Sequence, residues 1–140
     1  MDIIRRNSLD NPVKCYVTRT YQTRHGNGPL SNCGLPTDHI KLNPKETNVY
    51  NKYQGRFRKS VLDLDLLKHA IEMDGHYGKS INKRLYITCL DQCKEKKIRY
   101  TINGTVCNTK FENLSSLSLK LPVDSIHTCD NPKGIGIKKA

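Results

Sequence analysis

Cysteine is the residue type whose spacing in this chain comes nearest to a recognisable chemical site. Cys89 and Cys93 are separated by three residues, and paired ligands of structural zinc sites are often roughly two to four residues apart. A zinc site would stabilise a small core, because the binding energy of a structural metal adds to the free energy of folding. No second close pair supports this hypothesis. The predicted metal ligands are Cys89, Cys93, Cys107 and Cys129.

The same thiols have a second interpretation, as disulfide partners. The chain has six cysteines, and Asn103-Gly-Thr and Asn113-Leu-Ser match the glycosylation acceptor pattern. Together these features predict a secreted, disulfide-stabilised binding module with a glycosylated hairpin tip. The starting segment "MDIIRRNSLDNPVK" has no apolar run typical of a signal peptide. We therefore expect an intracellular protein, in the cytoplasm, the nucleus or a particle, and an extracellular one if a leader was removed.

A third interpretation treats the cysteines as core residues, and we favour it. Free cysteine behaves as a small buried hydrophobe. Cys15, Cys89 and Cys107 all fall on the inward faces of strands that the sequence predicts. Cys93 falls on a polar connection. The question that this interpretation leaves open is whether Cys93 has a partner.

The chain carries a strong positive charge. It has 24 Lys and Arg against 13 Asp and Glu, a formal net charge of +11 and an isoelectric point near 9.5. Such a charge attracts polyanions, of which nucleic acid is the commonest. No stretch has the roughly 18 apolar residues that a membrane helix needs. We therefore expect nucleic acid and other protein subunits as partners, and no membrane.

Basic residues cluster in segments that suit phosphate binding. In "NVYNKYQGRFRKS", residues 48–60, aromatic residues are interleaved with Lys and Arg, so that rings could stack on unpaired bases while cations neutralise phosphates. The competing interpretation, which we favour for the aromatic residues, places their rings in the core. "KEKKIR", residues 94–99, adds a second cluster. The predicted nucleic-acid contacts are Arg5, Arg6, Lys52, Tyr53, Arg56, Arg58, Lys59, Lys94, Lys96, Lys97 and Arg99.

Catalytic patterns are weak by comparison. The chain has no nucleophile elbow, phosphate loop or metalloprotease helix. "DGHYGK", residues 74–79, places His76 beside Asp, Tyr and Lys. With His127 as a second histidine, this group could act in a ribonuclease-like reaction. Nothing in the sequence positions the second histidine, so a protein without catalytic activity is favoured.

The main functional hypothesis is a non-catalytic basic protein of a nucleoprotein assembly, such as a virion or a ribosome-like particle, that binds the phosphate backbone. The secreted module is the first alternative, and the small ribonuclease-like enzyme is the second. Zinc is the one cofactor considered. The sequence does not distinguish RNA from DNA as the ligand.

Alternating polarity predicts several strands. "VKCYVTRTY", residues 13–21, predicts a half-buried strand with Val13, Cys15 and Val17 inward. "RLYITCL", residues 84–90, predicts another with Leu85 and Ile87 inward. A short strand is predicted at residues 39–42. "SLSLKLPV", residues 116–123, predicts an edge strand or one that ends at proline, with inward side chains from Leu117, Leu119, Leu121 and Val123.

The pattern around Asn103-Gly104 predicts a β-hairpin. Two β-prone runs flank this pair in "KKIRYTINGTVCNTKF", and Asn-Gly is the preferred pair of a type I′ turn. The register of such a hairpin places Ile102 opposite Thr105 and Tyr100 opposite Cys107.

The segment "SVLDLDLLKHAIEMDG" predicts the helix of the fold. Ser60 is a candidate N-cap, and Asp63 completes a capping box. The leucines that alternate with aspartates also admit a strand, but the capping residues favour the helix. The predicted apolar face comprises Leu62, Leu64, Leu66, Leu67, Ala70 and Ile71.

These elements predict an α+β fold with a four- to five-stranded, mainly antiparallel sheet, one amphipathic helix at about 60–74 and a hairpin at 97–111. The 140 residues fit one domain. We expect a basic tail at residues 1–12, an α+β domain at 13–126 and a basic C-terminal tail at 127–140.

Overall fold

The computed structural model describes residues 12–44, 46–75, 82–131 and 136–140, and it confirms the α+β class. Helix α1 spans Leu64–Gly75. Three 3₁₀ segments span Leu90–Gln92, Lys94–Lys96 and Phe111–Leu119. The strands are β1 (Val13–Arg19), β2 (Tyr21–His25), β3 (Phe57–Asp63), β4 (Asn82–Thr88), β5 (Lys97–Ile102), β6 (Thr105–Lys110), β7 (Ser125–Thr128) and β8 (Lys138–Lys139).

The strands form two sheets of four strands each. Sheet 1 has the order β1-β4-β7-β8, and sheet 2 has the order β2-β3-β5-β6. The chain passes from sheet 1 to sheet 2 at Thr20, a buried bend between β1 and β2. The β1–β4, β4–β7 and β3–β5 pairs are parallel, and β2–β3, β5–β6 and β7–β8 are antiparallel. The sequence predicts one mainly antiparallel sheet, whereas the structure has two sheets of mixed orientation.

One cluster of buried side chains joins both sheets, α1 and the 3₁₀ segment Phe111–Leu119. Because both sheets contribute to the same cluster, neither can lose its packing without disturbing the other. The central members of the cluster are Leu85, Ile87 and Ile126 from sheet 1, Leu62, Ile98 and Tyr100 from sheet 2, Leu64 from α1, and Leu114 and Leu117 from the 3₁₀ segment.

Helix α1 begins at Leu64 and not at the predicted Ser60. Ser60 and Leu62 lie in β3 and are at most 3% exposed. Asp63 caps the helix, because its Oδ1 accepts a hydrogen bond from the backbone N–H of Leu66 at 3.0 Å. The alternation of leucine with aspartate therefore marks the end of a buried strand, and helical spacing starts after Asp63.

The later start narrows the buried face of α1. Leu64 and Ile71 are each 1% exposed, and Leu67 packs against the core. Their spacing of three and four residues is that of one helix face. Leu66, at 52% exposed, and Ala70 lie at the surface, outside the face that the sequence predicts.

The hairpin prediction is confirmed in its bounds, turn and register. Strands β5 and β6 pair with Tyr100 opposite Cys107 and Ile102 opposite Thr105. Asn103 and Gly104 have φ angles of 50° and 70°, and positive φ at both central positions defines a type I′ turn. The backbone N–H of Asn103 also donates to Oδ2 of Asp65 at 2.7 Å, which ties the hairpin tip to the first turn of α1.

The strand predicted at residues 116–123 is wrong, because the 3₁₀ segment Phe111–Leu119 occupies most of this stretch. Leu114 and Leu117 are fully buried and Leu121 is 4% exposed, whereas Leu119 is 90% exposed. Spacings of three and four residues suit a helical turn, and spacings of two suit a strand. Leu117 and Leu121, four residues apart, fit both a strand and a helical turn. The buried Leu114, three residues before Leu117, fits only the helical turn.

Strand β1 presents the opposite face to the core from the one predicted. Val13, Cys15 and Val17 point outward and are exposed. The inward residues are Lys14 and Tyr16, whose Nζ and hydroxyl both donate to Oδ2 of Asp74 at 2.7 Å. A strand with alternating side chains can bury either set. Burial of the Tyr16 ring and the shared carboxylate decide the choice here.

The C-terminal segment predicted as a tail takes part in sheet 1. Strand β7 crosses the predicted boundary at residue 126, and β8 pairs with it through His127 with Lys139 and Thr128 with Lys138. The predicted N-terminal contacts Arg5 and Arg6 lie outside the described residues.

Candidate nucleic-acid interface

The aromatic residues predicted in the segment 48–60 are divided between the surface and the interior. Tyr50 is 67% exposed and Tyr53 is 86% exposed, so the interpretation that places these rings in the core is wrong for both. The Nζ of Lys52 lies 4.9 Å from the centroid of the Tyr53 ring, within reach of a cation–π contact. Phe57 is half-buried and packs against His25 with ring centroids 5.4 Å apart.

A tight turn presents Lys52 and Tyr53. Oδ1 of Asn51 accepts from the backbone N–H groups of Tyr53 and Gln54 at 3.1 and 2.8 Å. Gly55 has a φ of +75°, and a Cβ added to it would lie 3.1 Å from Cα of Gly26. The turn therefore needs glycine at this position both for its conformation and for the close backbone approach.

The other basic residues of this segment differ in their accessibility. Arg56 is exposed. Nη2 of Arg58 donates to the carbonyl of Gly28, and Nζ of Lys59 donates to the carbonyl of Ile40 at 3.3 Å. The side chains of Arg58 and Lys59 thus donate hydrogen bonds to backbone carbonyls of the protein. They are therefore less available to an external ligand than the sequence suggests.

Backbone pairing joins two distant segments beside β5. The N–H of Lys94 donates to the carbonyl of His39 at 2.9 Å, and the N–H of Lys41 donates to the carbonyl of Gln92 at 2.7 Å. The strand predicted at residues 39–42 is reduced to one bridge between Ile40 and Cys93. Ile40 is 5% exposed and anchors this connection.

The pairing creates a pocket, here called the cationic pocket. It lies between the loop that contains Asp38 and His39, the 3₁₀ segment Lys94–Lys96 and the β5–β6 hairpin. It collects Lys94, Lys97 and Arg99 from the predicted contacts, while Lys96 borders a neighbouring pocket. The lining residues of the cationic pocket are Asp38, His39, Lys94, Glu95, Lys97, Arg99 and Asn108.

Two carboxylates offset part of the positive charge of the cationic pocket. Nζ of Lys97 lies 3.0 Å from Oε2 of Glu95, and Nη1 of Arg99 lies 3.8 Å from Oδ1 of Asp38. Within the described ranges, no carboxylate pairs with Lys94. The Arg99 contact is longer than a hydrogen bond, so its guanidinium retains donors for a ligand.

The ring of His39 lacks a hydrogen-bond partner among the described residues. Both its ring nitrogens are buried, and neither has a hydrogen-bond partner in the described part of the chain. Burial lowers the pKa of His39 below its ordinary value, the charges of Arg99, Lys59 and Lys94 lower it further, and Asp38 opposes the shift. The folded protein therefore favours the neutral form of the ring.

Sequence reasoning finds the cations of the pocket but misses His39, Asp38 and Asn108. His39 meets Lys94 only through the loop pairing, and Asn108 meets Arg99 across the hairpin, with Oδ1 3.4 Å from Nε. The hairpin register makes the second contact foreseeable. No local sequence pattern predicts the contact between His39 and Lys94.

The predicted zinc site does not assemble. Across the described ranges, no group of three or more His, Cys, Asp or Glu side chains is placed to hold a metal ion. Cys89 adopts a left-handed conformation with φ 64° after β4 ends, and it is not the inward strand residue that was predicted. Cys107 lies in β6, and Cys129 is buried after β7. The cysteines lie in or after different strands, and the pairing of those strands sets the distances between the thiols. Their spacing along the chain therefore does not bring the four thiols together.

All six cysteines are free thiols, and Cys15 and Cys33 are exposed. Cys93 is half-buried, and burial raises the pKa of its thiol above the ordinary value. The core interpretation therefore holds for Cys107, which packs against the core cluster, and fails for Cys15. Cys129, which it did not include, is buried.

Only Asp74 and His127 of the ionisable residues in the ribonuclease-like alternative lie within the described ranges. His76 lies outside the described residues. Asp74 binds Lys14 and Tyr16, and both hydrogen bonds lower the pKa of its carboxyl. His127 lies on sheet 1, where Nε2 and the hydroxyl of Ser125 are 3.1 Å apart.

Comparison with protein-family models, with curated proteins and with solved structures gives no match for this chain. Among the described helices, none combines the length and apolar character needed to span a bilayer.

Proposed function

We propose that the protein is a non-catalytic basic subunit of a nucleoprotein assembly, and that it binds the phosphate backbone of nucleic acid at the cationic pocket. The observation that carries this proposal is the convergence of Lys94, Lys97 and Arg99 at one pocket.

The chemistry of the pocket suits a phosphate group. A phosphate oxygen can accept a hydrogen bond from Lys94, and the fork of the Arg99 guanidinium matches two phosphate oxygens. The ring nitrogens of His39 are buried, so this ring borders the pocket without donating to a ligand.

The remainder of the surface favours the same ligand. The net charge of +11 attracts a polyanion from a distance. Lys52, Tyr53 and Arg56 are exposed on a separate loop and provide further contacts. Contacts of this kind hold the backbone and carry no base specificity.

A salt titration of binding tests the proposal. The variant Lys94→Gln/Lys97→Gln/Arg99→Gln should bind a labelled oligonucleotide at least about ten-fold more weakly at moderate salt. The slope of log affinity against log salt should also fall by about one for each phosphate that the variant no longer neutralises. Fluorescence anisotropy between about 50 and 200 mM salt measures both quantities.

Lys68→Gln is the matched control for Lys94→Gln alone, because each of these changes removes one lysine charge. Lys68 is exposed on α1 and lies 3.8 Å from Glu72, so this change removes the same kind of charge away from the pocket. The control should retain nearly the full affinity and slope of the parent chain. Wild-type binding that does not weaken with salt, or equally weakened binding in the control and in Lys94→Gln, would contradict the proposal.

A further inference from the structure

The outer face of sheet 1 forms an open platform on which the side chains of all four strands meet. Val17 pairs with Tyr86, Tyr86 pairs with His127, and His127 pairs with Lys139. These pairings place the four side chains in one row across the sheet. The adjacent row is formed by Cys15, Arg84 and Ser125. Val17 is 70% exposed at the β1 edge.

An aromatic stack lies at the centre of this platform. The rings of Tyr86 and His127 are 4.8 Å apart and inclined by 17°. The Ser125 hydroxyl and Nε2 of His127 are within hydrogen-bond distance at 3.1 Å. Both rings are half-buried, so the stack is held in place and still presents aromatic surface.

Two basic residues lie beside the stack. Arg84 and Lys139 border the same cleft as His127. Burial lowers the pKa of the His127 ring, and the charges of Arg84 and Lys139 lower it further. Asp124 also borders the cleft, but its Oδ2 accepts the backbone N–H of Lys83 at 2.7 Å. No outward position of the described strands of sheet 1 is acidic; these positions are Val13, Cys15, Val17, Arg19, Asn82, Arg84, Tyr86, Thr88, Ser125, His127 and Lys139.

We propose that this platform binds single-stranded nucleic acid, with an unpaired base stacked on the Tyr86–His127 pair and the flanking phosphates at Arg84 and Lys139. The inference rests on the proposed function and names its ligand class. The bases of a duplex are already stacked on each other, whereas an unpaired base has a free aromatic face. An aromatic pair with basic residues beside it matches an unpaired base, which can stack on the free face of either ring, and its two phosphates.

Substitution of Tyr86 separates stacking from charge. Tyr86→Leu removes the ring and keeps an apolar strand residue, while Tyr86→Phe keeps the ring. Loss of one base stack should weaken binding to a single strand of about 16 nucleotides by about 5- to 100-fold. Tyr86→Phe should bind like the wild type, and binding of a duplex of equal length should be the same for all three proteins. Anisotropy provides the affinities, and circular dichroism and thermal melting verify the fold.

A fluorescent base provides a second readout on the unmodified protein. A single strand that contains one 2-aminopurine should lose fluorescence when that base stacks on an aromatic ring. Absence of any change on binding of the wild type would overturn the inference even if Tyr86→Leu fails to fold. An equal weakening of single-strand and duplex binding in a folded Tyr86→Leu would also overturn it.

The outcomes distinguish this inference from the proposed function. If the cationic-pocket variant loses affinity while Tyr86→Leu and Tyr86→Phe bind alike, the proposed function stands and the platform is not the site. If the wild type binds neither single strands nor duplexes in a salt-dependent manner, the proposed function itself fails.

Discussion

His39 shows how a single side chain can respond to its surroundings. Both ring nitrogens are buried without a partner in the described residues, and three cations contribute to lowering its pKa. The neutral form is therefore the form that the folded protein accommodates. Protonation of this ring within the cationic pocket opposes folding unless an anion is bound.

The first prediction concerns acid stability. Because the folded pKa of His39 lies below its unfolded value, the unfolded chain takes up a proton that the folded chain does not. The free energy of unfolding should therefore fall as pH drops below about 6.5. The charged groups near the ring are the cations Lys59, Lys94, Lys97 and Arg99 and the carboxylates Asp38 and Glu95. Urea unfolding at several pH values measures this dependence.

His39→Gln isolates the contribution of His39. Glutamine does not titrate, so the variant should lose less stability between about pH 7.5 and 5.5 than the wild type. The pKa of His127 is also lowered, so some acid sensitivity should remain in this pH range. Identical pH profiles for the two proteins would refute the role assigned to His39.

For single residues, the sequence indicates which side chains take part in a site better than it indicates which other side chains they contact. The cations of residues 94–99 are evident from composition and form part of the pocket, whereas the contact between Lys94 and His39 depends on a long-range backbone pairing. The four predicted zinc ligands fail for the same reason, since their distances are set by strands that the spacing does not describe.

Among the elements, the 3₁₀ segment Phe111–Leu119 provides the sharpest test of the architecture. A strand would bury Leu117 and Leu119 together, whereas the structure buries Leu117 and leaves Leu119 90% exposed. The two leucines are two residues apart and of the same chemical type, so each serves as the control for the other.

We expect Leu117→Ala to lower the free energy of unfolding by about 2 to 5 kcal/mol, because it leaves a cavity in the core. Leu119→Ala should change it by no more than about 0.5 kcal/mol, as is usual for exposed side chains. Chemical denaturation of both variants measures the difference. Similar destabilisation of the two proteins would favour the strand that the sequence predicts.

The elements that sequence patterns predict well are the local ones. The β5–β6 hairpin is confirmed in register because Asn103-Gly104 determines the turn, and the turn determines which residues pair. The predicted start of α1 is too early, because Leu62 belongs to strand β3 and the helix begins at Leu64. The outward face of β1 is missed because its inward residues are fixed by Asp74 at the distant end of α1.

For the whole molecule, the shared core makes the two sheets one cooperative unit. Leu85 of sheet 1 and Ile98 of sheet 2 are both fully buried in the same cluster. Sheet 1 carries the proposed base platform, and the β5–β6 hairpin of sheet 2 borders the cationic pocket. The positions of the two binding surfaces therefore depend on the same packed interior.

Leu85→Ala and Ile98→Ala should each lower stability by about 2 to 5 kcal/mol and keep a single unfolding transition. Far-ultraviolet circular dichroism reports on both sheets, and reaction of the buried thiol of Cys129 reports on the end of sheet 1. The two signals should change at the same denaturant concentration in both variants. A separate early transition in either protein would show that the sheets unfold independently.

The parallel pairing of β1 with β4 also sets the order of events during folding. Val13 pairs with Asn82 across much of the chain, whereas Ile102 pairs with Thr105 across a two-residue turn. Distant pairings form slowly because loop closure must come first. In pulsed hydrogen exchange, the amides of β5 and β6 should therefore gain protection before those of β1, and simultaneous protection would exclude this order. Until β1 docks, the edge of β4 that it covers remains open to other chains, so the refolding yield should fall as protein concentration rises.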